Sequence, residues 1–93
     1  MRTIERSTAF KRDYKRESKG QYRVGLDDAL VPVLVALANN EPLERRHRDH
    51  ELDGNWSGYR ECHIKPDLLL IYQKPDSETL QLARLGSHSQ LFG

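Results

Sequence analysis

The run Tyr59-Arg60-Glu61-Cys62-His63-Ile64-Lys65-Pro66-Asp67-Leu68-Leu69-Leu70-Ile71-Tyr72-Gln73 decides the fold. It reads as two strands, Tyr59 to Ile64 and Asp67 to Gln73, joined by a tight connection at Lys65-Pro66. The second strand is almost continuously apolar, which marks a central strand covered on both faces. Lys74-Pro75-Asp76-Ser77 makes the next turn, and Thr79 to Arg84 is the third strand of the meander. Alternation sends Tyr59, Glu61 and His63 to one face and Arg60, Cys62 and Ile64 to the other. Cys62 and His63 therefore cannot act as a nucleophile pair, and Cys62 is expected in the core.

Upstream, Thr3 to Arg6 reads as a short first strand and Ser7 as the N-cap of a helix through Glu17, with Gly20 ending it. Phe10 and Tyr14 share one face of that helix. Leu26, Ala29, Leu30, Val33, Leu34 and Leu37 recur at helical spacing and predict a second helix from about Leu26 to Ala38. Pro32 lacks an amide proton, so this helix either kinks there or becomes regular only near it. Residues 42–55 read as a loop, with a turn at Asp53-Gly54-Asn55. The order is β-α-α-β-β-β, an α+β domain with a small antiparallel sheet and two N-terminal helices packed on it.

With 93 residues, the chain makes a single domain, residues 1–93, with one modest core. The lone cysteine excludes an internal disulfide. The N-terminus has no apolar leader, and the longest apolar stretch, Ala29 to Ala38, is too short to span a bilayer. These features predict a cytoplasmic protein with no membrane partner. Net charge is only +1, yet residues 1–23 carry eight basic side chains against three acidic ones. Lys11, Arg12, Lys15 and Arg16 concentrate that charge on the first helix, and Arg45-Arg46-His47-Arg48 form a second cluster. Such density attracts a phosphate backbone, although an ordinary solvated helix face would look the same.

Histidine can take or give a proton near neutral pH. His50, His63 and His88 lie in separate segments, each beside turn-forming residues. Convergence of two or three on one cleft, next to an arginine, would suit metal-free phosphodiester cleavage. His47 and His50 are three apart and could chelate a metal on a helix. The neighbouring arginines and the loop-like context weigh against it, so no metal and no cofactor are expected. The tail ends in Leu91-Phe92-Gly93, apolar enough to dock on the core or to offer the Phe92 ring to a base.

Two motifs carry a family resemblance. Trp56-x-Gly58-Tyr59-Arg60-x-x-His63-x-x-Pro66-Asp67 with Leu70-Ile71-Tyr72, and Arg84-x-Gly86-Ser87-His88-x-x-Leu91-Phe92, resemble the YafQ toxins of the RelE/ParE superfamily. The resemblance is strongest over residues 47–93. It implies a RelE-like fold and a ribosome-dependent endoribonuclease that cuts mRNA in the A site of the 70S ribosome. It also implies a ribbon-helix-helix antitoxin of the DinJ kind as partner. Carried over by position, the catalytic set is His50, His63, Asp67, Arg84 and His88, with Phe92 binding substrate. In that reading His50 is favoured narrowly over His63 as general base, Asp67 and His63 orient it or share the role, His88 is the acid and Arg84 stabilises the phosphate. Lys11, Arg12, Lys15 and Arg16 would bind ribosomal RNA. This chain departs from the family at Leu68, where tryptophan is usual, and at Leu85, where threonine is common. The rival expectations are a ParE-like gyrase poison, which would lack the histidines, and a non-catalytic ribosome- or RNA-binding module.

Overall fold

The computed structural model describes residues 1–93, and the meander read from the sequence forms its centre. Strands β3 (Arg60–Lys65), β4 (Leu68–Gln73) and β5 (Thr79–Gly86) pair antiparallel, with β4 in the middle. β1 (Thr3–Arg6) joins the far edge beside β5, and a two-residue β2 (His50–Glu51) joins the other edge beside β3. The sheet order is β1-β5-β4-β3-β2.

The α+β class holds, but the sheet is mixed, because β1 runs parallel to β5. A parallel pair needs a long crossover connection. The chain between β1 and the meander supplies one through α1 (Thr8–Glu17) and α2 (Leu26–Ala38). β2 and a third helix, α3 (His88–Phe92), fall in segments read as loop and tail.

Local chemistry explains the helices. The Ser7 hydroxyl accepts from the Phe10 amide and starts α1. The helix closes at Ser18, two residues before Gly20. Gly25 supplies the left-handed residue before α2, and Asp27 and Asp28 sit in its first turn, where the helix dipole favours anions. α2 runs unbroken through Pro32, which lies on its exposed side.

The two helices cover one face of the sheet. Phe10, Leu26, Leu30, Val33 and Leu37 pack there on Cys62, Ile64, Leu68, Leu70, Tyr72, Leu80, Leu82 and Leu85. Cys62 is fully buried, as alternation predicted, and that burial holds its thiol protonated. The opposite face carries a smaller cluster of Leu69, Ile71 and Leu91, edged by Leu52, Trp56 and Tyr59. β4 is thus buried on both sides, as its apolar run foretold. No helix is long and apolar enough to cross a membrane.

Candidate active site

The outer face of the sheet gathers the chemistry. Pairing register lines up His50, Glu61, Ile71 and Arg84 across β2, β3, β4 and β5. His63, Leu69 and Gly86 form the neighbouring row. Residues paired in register share a face, so both rows look the same way.

His50 and His63 meet at Glu61. The Nδ1 of His50 lies 3.1 Å from the Glu51 carbonyl, and that of His63 lies 3.1 Å from the Pro66 carbonyl. A carbonyl only accepts, so Nδ1 is the protonated nitrogen in both neutral rings. Each Nε2 is then a free base, and each stands 3.6 Å from a different oxygen of Glu61. Glu61 is buried, while the His50 side chain is half exposed and His63 is partly covered. A proton taken up at either Nε2 would face this carboxylate.

The supports of this pair lie behind it. His47 is buried, and its Nδ1 donates to the His63 carbonyl at 2.7 Å. It therefore props β3 and does not pair with His50 as a chelate. Asp49 accepts from the Tyr72 hydroxyl at 2.5 Å and from Arg60 Nε at 3.3 Å, which fixes the residue before His50. Burial first, then the Asp49 bond, push the Tyr72 phenol up and keep it protonated. Arg46, Arg48 and Lys65 line a hollow of about 540 Å³ beside His63 and make that approach positive.

His88 and Phe92 come from α3. Their rings are 5.1 Å apart and exposed at the surface. Leu91 docks the helix on Leu69 and Ile71. Ser87 and Gln90 form a reciprocal cap: Ser87 Oγ accepts from the Gln90 amide, and Gln90 Oε1 accepts from the Ser87 amide. Asp67 Oδ1 accepts from the backbone amide of His88 at 3.1 Å. Asp67 therefore ties the β3–β4 turn to α3, and the carboxylate that faces His50 is Glu61.

Arg84 stands at the β5 end of the first row, gripped by Asp13 of α1 through Nε at 2.7 Å and Nη2 at 3.2 Å. Burial would raise the Asp13 pKa, but the Arg84 bond, the Leu85 amide and the charges of Arg84 and Arg16 together hold it below the usual range. Arg16 is exposed, but differs from the other basic residues of α1 in having its guanidinium engaged within the fold. Its guanidinium donates to Asp13, Glu17 and the Leu85 carbonyl, all within 3.0 Å. Lys11, Arg12 and Lys15 remain exposed on the same helix. Leu68 and Leu85, the two departures from the family pattern, are both buried in the core on the helix side.

Sequence reasoning missed Glu61, Asp13 and Asp49. Alternation had placed Glu61 on the face of His63, which was the available signal. His50, Glu61 and His63 also offer ligand atoms all within 4.8 Å of one another. Imidazole and carboxylate together are a donor set that transition metals accept. This trio, and not His47 with His50, is the set that could hold an ion.

The sheet thus carries helices on one face, and histidines, an arginine and a docked C-terminal helix on the other. The family model for YafQ, described as a bacterial toxin of type II toxin–antitoxin systems, matches residues 2–93. The mRNA interferase toxin YafQ of Escherichia coli K12 is 37% identical over 92 residues, covering 99% of this chain and 97% of that protein. The toxin in the E. coli DinJ–YafQ complex superimposes with a TM-score of 0.85 at 38% identity, covering 100% of both chains. A metal-bound toxin from Helicobacter pylori does so with a TM-score of 0.88 at 46% identity, covering 99% of this chain and 100% of that one. The chain belongs to the YafQ toxin family.

Proposed function

We propose that this toxin cleaves mRNA in the ribosomal A site by acid–base transesterification carried by its own side chains. Its class, an endoribonuclease of the mRNA-interferase type, follows from family membership. The observation that carries the mechanism is the pair of Nε2 atoms, each free of its own backbone bond and each against Glu61.

RNA brings its own nucleophile, the 2′-hydroxyl. His50 or His63 removes that proton at Nε2, and Glu61 faces the imidazolium so formed. The oxygen attacks the adjacent phosphorus, and Arg84 offsets the charge that builds on the phosphoryl oxygens. His88 protonates the departing 5′-oxygen, leaving a 2′,3′-cyclic phosphate. Phe92 beside it offers a stacking face to a base. Each positioned proton-transfer group contributes roughly 10²–10⁴-fold. The His–Glu–His trio would accept a metal, which could act as a Lewis acid when bound, but no step here is routed through one.

Lys11, Arg12 and Lys15 supply charge for ribosomal RNA, and ribosome binding should weaken steeply with salt. The partner that silences the toxin is an antitoxin of the DinJ kind, as in the E. coli complex. A 2′-O-methyl group at the cut site tests the chemistry. Cleavage should stop there while ribosome binding persists. Cleavage past the methyl group would exclude 2′-hydroxyl attack.

A further inference from the structure

Taking Arg84 as the cation that meets the reacting phosphate, which rests on the reading above, we propose that Asp13 is the residue that positions it. The cause lies in the sheet edge. β1 pairs with β5 only as far as Arg6 and Leu82, after which the chain turns into α1 at Ser7. Beyond Leu82, β5 therefore has no strand on its β1 side, although β4 still pairs on the other, and α1 supplies side chains along that open edge. Ser7 Oγ donates to the Ala83 carbonyl at 2.8 Å, the Leu85 amide donates to Asp13 Oδ2 at 3.0 Å, and Arg16 Nη2 donates to the Leu85 carbonyl at 2.9 Å.

Asp13 is consequently fixed by the backbone next to the residue it holds. It is 3% exposed, and its two oxygens accept from Arg84, Arg16 and the Leu85 amide. The paired bonds to Nε and Nη2 lock the plane of the Arg84 guanidinium and leave its Nη1 side for an anion. A free arginine side chain has many rotamers, and much of that freedom is removed here before substrate arrives. Gly86 belongs to the same device. A Cβ there would stand 2.8 Å from Arg16 Nη2 and 2.9 Å from Gln90 Oε1, so any side chain would push the tips of both aside and disturb their bonds to Leu85 and Ser87.

A mere clasp between α1 and β5 would look similar, so the test must separate support of the fold from aim of the arginine. Asp13→Asn, Arg84→Gln and the double variant are compared by single-turnover cleavage on mRNA-programmed ribosomes, each with its melting temperature. Asp13→Asn should slow cleavage by about tenfold to a hundredfold in the wild-type background and by nothing further in Arg84→Gln. Ser7→Ala, which cuts a neighbouring α1–β5 bond without touching Arg84, should lower the melting temperature and leave the rate alone. If Asp13→Asn does not fold, Asp13→Glu carries the same cycle, since it keeps the charge and shifts the carboxylate. Equal slowing by the Asp13 change in both backgrounds would overturn the proposal. An Arg84→Gln variant that cleaves like wild type would overturn the reading on which it stands, and the proposal with it.

Discussion

His50, Glu61 and His63 stand on paired strands, whereas His88 and Phe92 stand on a five-residue helix that reaches the sheet through Leu91. The first group is locked from behind by His47, Asp49 and Tyr72, all tied to strand backbone or to one another. The second is held on the sheet by Leu91, the Asp67 bond to the His88 amide and an Arg16–Gln90 bond of 3.4 Å, with a capping box closing its own first turn. The difference suits the chemistry proposed. A base must be aimed before substrate binds, while the acid and the stacking ring can settle around the RNA. A helix with so few anchors is also the part that a neutralising partner could displace at small cost, since weakly packed segments open first.

That contrast can be broken in three ways, from the largest effect to the smallest. The two strand-borne histidines stand symmetrically at 3.6 Å from Glu61, and the proposed mechanism lets either act as base. His50→Ala and His63→Ala should each leave residual cleavage, and the double variant should lose about 10²–10⁴-fold in single-turnover rate. Complete loss in one single variant would show that the symmetry is only apparent. Leu91→Ala should unlatch α3, slowing cleavage tenfold or more while costing about 2 kcal/mol of stability by denaturant titration, at the low end for a buried leucine. An unchanged rate would mean that α3 needs no anchor.

Acid gives the mildest effect. The Asp13 carboxyl is held below its ordinary value in the folded chain, so its contribution is fully present above the unfolded value near 3.9. It is lost as pH falls through the lower folded value. Asp13→Asn should therefore flatten the stability curve of the intact chain below about pH 4, read as melting temperature against pH. A curve of unchanged shape would mean that Asp13 contributes little there.

How much of this was legible in the sequence follows from the range of each signal. Alternation along β3 and the apolar run of β4 are local, and they fixed the meander, the burial of Cys62 and the facing of His63. The parallel partner of β1 is not local, since Arg6 meets Leu82 only after two helices have turned the chain. β2 has two residues, too few to show any period, so the loop around His50 hid its place beside Glu61. Without that pairing, Glu61 is one carboxylate among many. Arg16 looked like its solvated neighbours because, beyond Asp13 and Glu17 on its own helix, the partners that tie it to the sheet and α3 lie at Leu85 and Gln90, far along the chain. Family motifs pointed to the histidines and Arg84, but only coordinates show what holds each of them.

The most direct test of the central claim compares wild type and His88→Ala on mRNA-programmed 70S ribosomes, with RNA ends mapped by primer extension and naked mRNA as the control. Discrete cuts by wild type alone, and only on the ribosome, are the predicted result, with both proteins binding ribosomes and melting alike. Equal cutting by His88→Ala, or ribosome binding by wild type without any cuts, would contradict the account.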